Sequence, residues 1–268
     1  MARFAPVVPL AVADALWDMN LLGNYHLLLA HDVLAHPGLY KSLYSTLLRA
    51  TDFGEAGSSV VIMDNSVVEL GNAMTFHEVL NAARIVDADY IVAADSFLES
   101  RLTIERGIQF ADQANAAHHD EFGGVAVPSL MGVVQGRTIK ECMDCAEAYA
   151  DHHMFESIGI PRCLVPVLGS RTRLTLKLYE RYADRFEHWH LLGLSEDLLD
   201  DVCTARLPMI HGIDSAAPIR GAMNGVVFDI NGSDFGPRGD FWQASNLQAW
   251  NAEEQIRTNL ELIRGQIA

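Results

Sequence analysis

Cationic residues are scarce in this chain: 19 Lys and Arg stand against 35 Asp and Glu, a formal net charge of −16 at pH 7. Neutralising phosphates is the main sequence-independent source of nucleic-acid affinity, so a broad basic coat is excluded and any nucleic-acid contact has to be local. Long hydrophobic runs are missing as well. None approaches the roughly 20 residues that cross a bilayer. The stretch 7–13 is short, is broken by Pro9 and is followed by Asp14, so neither a membrane span nor an export signal is expected. The four cysteines, Cys142, Cys145, Cys163 and Cys203, are too few for a disulfide framework at this length, which fits a reducing cytoplasm. Glycine and proline stand at ordinary levels, 20 and 9 residues, and this excludes fibrous and low-complexity classes.

What the chain does have is apolar residues, half of its 268 positions, enough for a core that buries roughly three quarters of the surface. They gather in short runs at 25–30, 59–63, 90–94, 130–134, 157–160, 188–192, 208–213 and 226–230. Short runs without alternation read as buried parallel strands. Between them lie stretches of helical periodicity at 39–50, 75–86, 99–118, 138–152, 171–185, 195–204 and 247–267. Thr75 with Glu78 makes a capping box, and Ser195 reads as an N-cap. Residues before 25 read as a polar lead, and the stretch from 230 through Gly239 as a glycine-rich loop. Strands and helices alternating over roughly 240 residues predict a (β/α)8 TIM barrel, a single domain spanning 1–268. An open doubly wound sheet would carry a glycine fingerprint that is missing here.

Barrel enzymes place their chemistry at the carboxyl ends of the strands. The run Pro208-Met209-Ile210-His211-Gly212-Ile213 stops at Asp214, and Asp64, Asp95, Gln135 and Gly193 end other runs. Any one of them suits a turn; polar stops on strand after strand are what a converging pocket requires. The helical stretch 171–185 holds Arg171, Arg173, Lys177, Arg181 and Arg185. The last four recur every fourth residue on one face, and Arg171, Arg173, Lys177 and Arg181, with Arg162, are the candidate nucleic-acid contact. The plainer reading is a solvated face neutralised by Glu180 and Asp184.

Met63-Asp64-Asn65-Ser66, Ala94-Asp95-Ser96, Gly132-Val133-Val134-Gln135-Gly136, Leu191-Leu192-Gly193-Leu194 and Gly212-Ile213-Asp214 together resemble the tRNA-guanine transglycosylase superfamily. Their order, with Leu28-Leu29-Ala30-His31, is most similar to its compact phage-type DNA guanine transglycosylases, the DpdA-like group. The resemblance implies exchange of a guanine already attached to a nucleic-acid sugar for a 7-deazaguanine. It implies Asp214 as nucleophile and Asp64 as acid/base group. Asp95, Gln135, Gly136 and Gly193 would read the base, and Leu194 would offer a carbonyl to its 7-substituent. Phe97 or Arg162 would support the extruded base.

The resemblance further implies DNA as partner, with tRNA as the alternative substrate, and the cytoplasm as location, that of the host if the chain is phage-encoded. A homodimer fits the superfamily; no cofactor is implied. The zinc site of the tRNA enzymes follows their catalytic aspartate, and with no cysteine after Cys203 no such metal is expected. Cys142 and Cys145 lie within one helical stretch and read as a packed face. The competing reading is a non-catalytic barrel that binds a purine or a partner, which needs neither Asp64 nor Asp214.

Overall fold

The computed structural model describes residues 1–50, 59–118, 126–195, 197–229 and 241–268, with the side chains of 45–50 set aside. Eight strands, β1 (Arg3–Pro6), β2 (Tyr25–Leu29), β3 (Val60–Asp64), β4 (Tyr90–Val92), β5 (Ser129–Val133), β6 (Phe155–Pro161), β7 (His188–Leu192) and β8 (Gly212–Ser215), alternate with helices. All are parallel, in the order β1-β8-β7-β6-β5-β4-β3-β2. β1 lies against β2 with no hydrogen-bonded register between them among the described residues, so this (β/α)8 barrel is nearly closed.

The strands read as continuous apolar runs because both of their faces are covered. Successive side chains alternate: Leu27, Leu29, Ile62, Val92, Met131 and Val133 fill the inside of the barrel. Leu28, Val61, Met63, Ile91, Leu130 and Leu191 face outward into the layer beneath the helices. That alternation decides which strand-end residues enter the mouth. Asp64 shares the inward side with Ile62, and Asp214 shares it with Gly212.

The strand count agrees with the sequence reading, but two assignments are corrected. The first strand is Arg3–Pro6, in the stretch read as a polar lead. It pairs with β8, bringing Ala5 opposite Asp214. The stretch 226–230 is no strand over its described part, 226–229. Two of its backbone groups go to one buried side chain: Asn259 Oδ1 accepts from the Phe228 N–H at 2.7 Å, and Asn259 Nδ2 donates to the Val226 carbonyl at 2.9 Å. β8 also starts later than expected, at Gly212, because residues 207–209 turn. The glycine-rich loop assigned to 230–239 lies outside the described residues.

Thr75 and Glu78 form the expected capping box on the helix Phe76–Val86. The helix Leu198–Ala205 is capped by Asp197 rather than Ser195. Cys142 and Cys145 are buried on one face of the helix Ile139–Ala150, and burial pushes their thiols up to about 12 and about 11.

Arg171, expected as a candidate nucleic-acid contact, is fully buried. Its Nη2 is ion-paired with the buried Asp201, while Nη1 donates to the Ile160 and Leu192 carbonyls at 3.3 and 3.4 Å. It thereby ties the ends of β6 and β7 beside the mouth. Arg171→Met strands the Asp201 carboxylate without its cation and is expected to cost about 3–5 kcal/mol, read as a lower urea midpoint. Adding Asp201→Leu should recover most of that loss, since an apolar pair of similar volume needs no desolvation.

Candidate active site

At the carboxyl end of the barrel the inward residues surround a cavity of about 320 Å³ that takes in Asp64, Asp95, Arg162, Gly193 and Asp214, with Phe97 at its edge. Each acid arrives by its own strand, and each is held differently.

Asp214 is 8 % exposed. Its Oδ1 lies 2.9 Å from His190 Nε2 and accepts from the Gly193 N–H at 3.0 Å. Among the described residues Oδ2 has no hydrogen bond. One oxygen is therefore pinned and the other is left bare toward the cavity. Gly193 can take this place because its φ is +74° and because a Cβ there would lie 2.9 Å from Arg162 Cδ. The left-handed backbone and the close approach both call for glycine.

Asp64 ends β3. Its Oδ2 accepts from the Ser66 N–H at 2.8 Å, and Ser66 itself is left-handed, with φ 60°. Burial raises the proton affinity of Asp64 well above that of an ordinary carboxylate. Glu69 adds to this, the Ser66 N–H opposes it, and Asp95 and Asp214 contribute in the same direction as Glu69. Two carboxyls sharing a cavity cannot both ionise freely.

Asp95 is almost fully buried and is clamped from behind. Asn65 Nδ2 donates to Oδ1 at 3.0 Å and Gln135 Nε2 to Oδ2 at 2.8 Å. Burial raises its pKa against the pull of these two amides. Gln135 accepts in turn from the Leu98 N–H at 3.0 Å. It is wholly buried and does not line the cavity, so in this structure it supports Asp95 and is not placed to meet a ligand.

Gly136 lies away from the cavity as well. A Cβ on it would meet Glu141 Cβ at 2.7 Å, so it lets the helix Ile139–Ala150 start close to the sheet. The Gly193 N–H, expected to read a base, is directed at Asp214 instead. Leu194 is buried, and its carbonyl accepts from Arg162 Nη1 at 3.3 Å.

The cationic stretch is split between surface and interior, with Arg173, Lys177 and Arg181 exposed. Arg171 is buried, Arg181 is ion-paired with Glu147, and Arg185 donates to the Ala150 and His152 carbonyls at 2.6 and 2.7 Å. Among the described residues no group of three or more His, Cys, Asp or Glu is placed to hold a metal ion.

Two residues that the sequence reading left without a role, His190 and Asn65, touch the acids directly. His190 could have been found by counting back two residues from Leu192, since β7 alternates; Asn65 stands next to Asp64 but turns toward Asp95. Comparison of the chain with protein-family models and with curated proteins finds no match.

Proposed function

We propose that the chain is a base-exchange glycosyltransferase that replaces guanine in DNA with a 7-deazaguanine, such as 7-cyano-7-deazaguanine, through a covalent sugar ester on Asp214. One observation carries this reading. A single cavity pairs a carboxylate having one saturated and one bare oxygen, Asp214, with a carboxyl whose surroundings favour its proton, Asp64. This division of labour is what displacement at an anomeric carbon needs.

In the first half-reaction Asp214 Oδ2 bonds to C1′ of the target deoxyribose as the C1′–N9 bond breaks. Its electron pair goes to the departing guanine, and Asp64 gives that base a proton. In the second half-reaction the incoming base loses its N9 proton to Asp64, and N9 bonds to C1′. The ester bond then breaks and its electron pair returns to Asp214. Two inversions leave the sugar's configuration unchanged, and Asp64 ends with the proton it began with.

Recognition of the base rests on Asp95. Its two oxygens each accept one amide from behind, and a carboxylate oxygen has a second lone pair. Those lone pairs suit the N1–H and exocyclic amine of guanine, a donor pair that adenine lacks. A cavity of about 320 Å³ holds a flipped nucleoside but no duplex, so the target base has to leave its stack. Phe97, 43 % exposed at the edge, offers a face for the displaced neighbours.

The same pocket would accept a guanine flipped from tRNA. The test is release of labelled guanine, assayed in parallel on duplex DNA and on tRNA with a free 7-deazaguanine added. Release from DNA is expected. Release from tRNA alone would transfer the reaction to the other substrate, and release from neither would overturn it.

A further inference from the structure

A line of hydrogen bonds continues from Asp214 down the inside of the barrel, away from the cavity. His190 Nε2 faces Asp214 Oδ1, and His190 Nδ1 lies 2.8 Å from Tyr25 Oη. That phenol lies 2.9 Å from His188 Nε2. All these side chains are buried. None of the three behind Asp214 reaches the cavity wall, so none is placed to touch a substrate.

We propose that Tyr25 and His188 are positioning residues for the base exchange, and the proposal rests on the reading given above. They fix His190 as the tautomer protonated on Nε2, which pins Oδ1 of Asp214 and leaves Oδ2 as the oxygen that attacks.

Counting hydrogens gives the direction. Four groups in a line share three hydrogen bonds, and each bond needs one hydrogen. An ionised Asp214 brings none; Tyr25 brings one, and a neutral histidine brings one N–H. The three hydrogens fill three bonds in only one way. His188 Nε2–H donates to Tyr25 Oη, the Tyr25 O–H donates to His190 Nδ1, and His190 Nε2–H donates to Asp214.

For His188 and Tyr25 the surroundings favour the protonation states this count needs. Burial, helped by His190, His211 and Arg3, pushes His188 down to about 2, so it stays neutral. Burial raises Tyr25, so the phenol keeps its proton. In the opposite tautomer the bare Nε2 lone pair of His190 would face the carboxylate. That repulsion would break the bond that pins Oδ1.

The rest of the barrel floor is shaped around this line. β8 carries glycine where Tyr25 crosses it: a Cβ on Gly212 would lie 2.1 Å from Tyr25 Cε1 and 2.6 Å from its hydroxyl oxygen. The Arg3 guanidinium sits 4.6 Å from the Tyr25 ring centroid, and Tyr90 stacks on His188 at 4.5 Å. A ring placed only for bulk would also need the glycine, but it would not need two histidines at its tip.

The test uses the full chain labelled with 15N-histidine at neutral pH. Long-range proton–nitrogen correlation reads the tautomer, and His190→Gln identifies the signal. His190 is expected with its proton on Nε2 in the unaltered chain. Tyr25→Phe, which removes only the hydroxyl, should move a measurable share to the Nδ1-protonated or doubly protonated form. It should also lower kcat for exchange by about tenfold with little change in KM. In a His190→Gln background the same substitution should add nothing, because an amide donates to Asp214 without a tautomer to choose. A His190 protonated on Nδ1 in the unaltered chain, or a spectrum unmoved by Tyr25→Phe, overturns the proposal. The spectrum reports on the relay whatever reaction the chain catalyses, so the relay and the exchange reading can fail separately.

Discussion

Asp214→Asn is expected to lower guanine exchange by at least about 10⁴-fold while leaving the barrel folded. The substitution keeps an oxygen to accept from His190 and from the Gly193 N–H. At the position of the bare Oδ2 it puts an amide nitrogen, which has no lone pair free to bond to C1′. Asparagine is a cleaner replacement than alanine, since alanine would also leave two buried donors without an acceptor. Single-turnover release of labelled guanine measures the loss, and a thermal melt within a few degrees of the unaltered chain excludes a structural cause. Full exchange by Asp214→Asn, or by Asp214→Ala, would contradict the assignment.

The second large effect has two signs. Asp64→Asn removes the group that carries the proton in both half-reactions, and exchange should fall by about 10²–10⁴-fold. Stability should rise. Burial first, then Glu69, with Asp95 and Asp214 behind them, raise the folded-state pKa of Asp64 above its unfolded value. A group shifted in this direction contributes stability that is present below the unfolded pKa, near 3.9, and is lost as pH rises through the folded pKa. As pH rises above the unfolded pKa the unaltered chain progressively gives up that contribution, because it holds a carboxyl in a place that disfavours its charge. Asparagine accepts the Ser66 N–H equally well and carries no charge. Tm of Asp64→Asn should therefore exceed that of the unaltered chain by about 2–4 °C for each kcal/mol relieved, and the gap should close as pH falls toward about 4. Melting curves for both chains from acid to neutral pH decide the point. A variant less stable at every pH would show that the site does not disfavour a charged Asp64. A carboxyl kept at a cost in stability is what a working acid/base group entails.

The parts of the fold that were legible in the sequence are those in which a short apolar run stands between polar breaks. β2 and β7 were bounded at Tyr25 and Leu192 for this reason. β1 was not legible, because four residues that begin with Arg3 and end with Pro6 carry neither length nor a clean apolar signature. They form a strand only because β8 offers them a partner. The stretch 226–229 failed in the opposite way: it is apolar enough for a strand, but Asn259 takes two of its backbone groups and the Gly221 carbonyl takes the Val226 N–H.

The carboxyls of the site were legible because each ends a run, and a polar residue after an apolar strand has to lie at a rim. Their supports were not. His190 and Tyr25 sit inside strands, where the sequence shows only residues compatible with burial; their meeting across the barrel depends on strand pairing and on the space left by Gly212. Arg171 misled for a related reason. A place in a cationic helical stretch does not reveal Asp201, on the next helix, which pairs with it.

The central claim is that Asp214 becomes covalently joined to the sugar. A labelled guanine-containing duplex mixed with the chain, quenched in denaturant before the second base is supplied and analysed by intact and peptide mass spectrometry, tests it directly. A DNA adduct on the peptide that contains Asp214, absent from Asp214→Asn, is the expected result. Exchange that proceeds without any adduct, or an adduct on Asp64 instead, would contradict it.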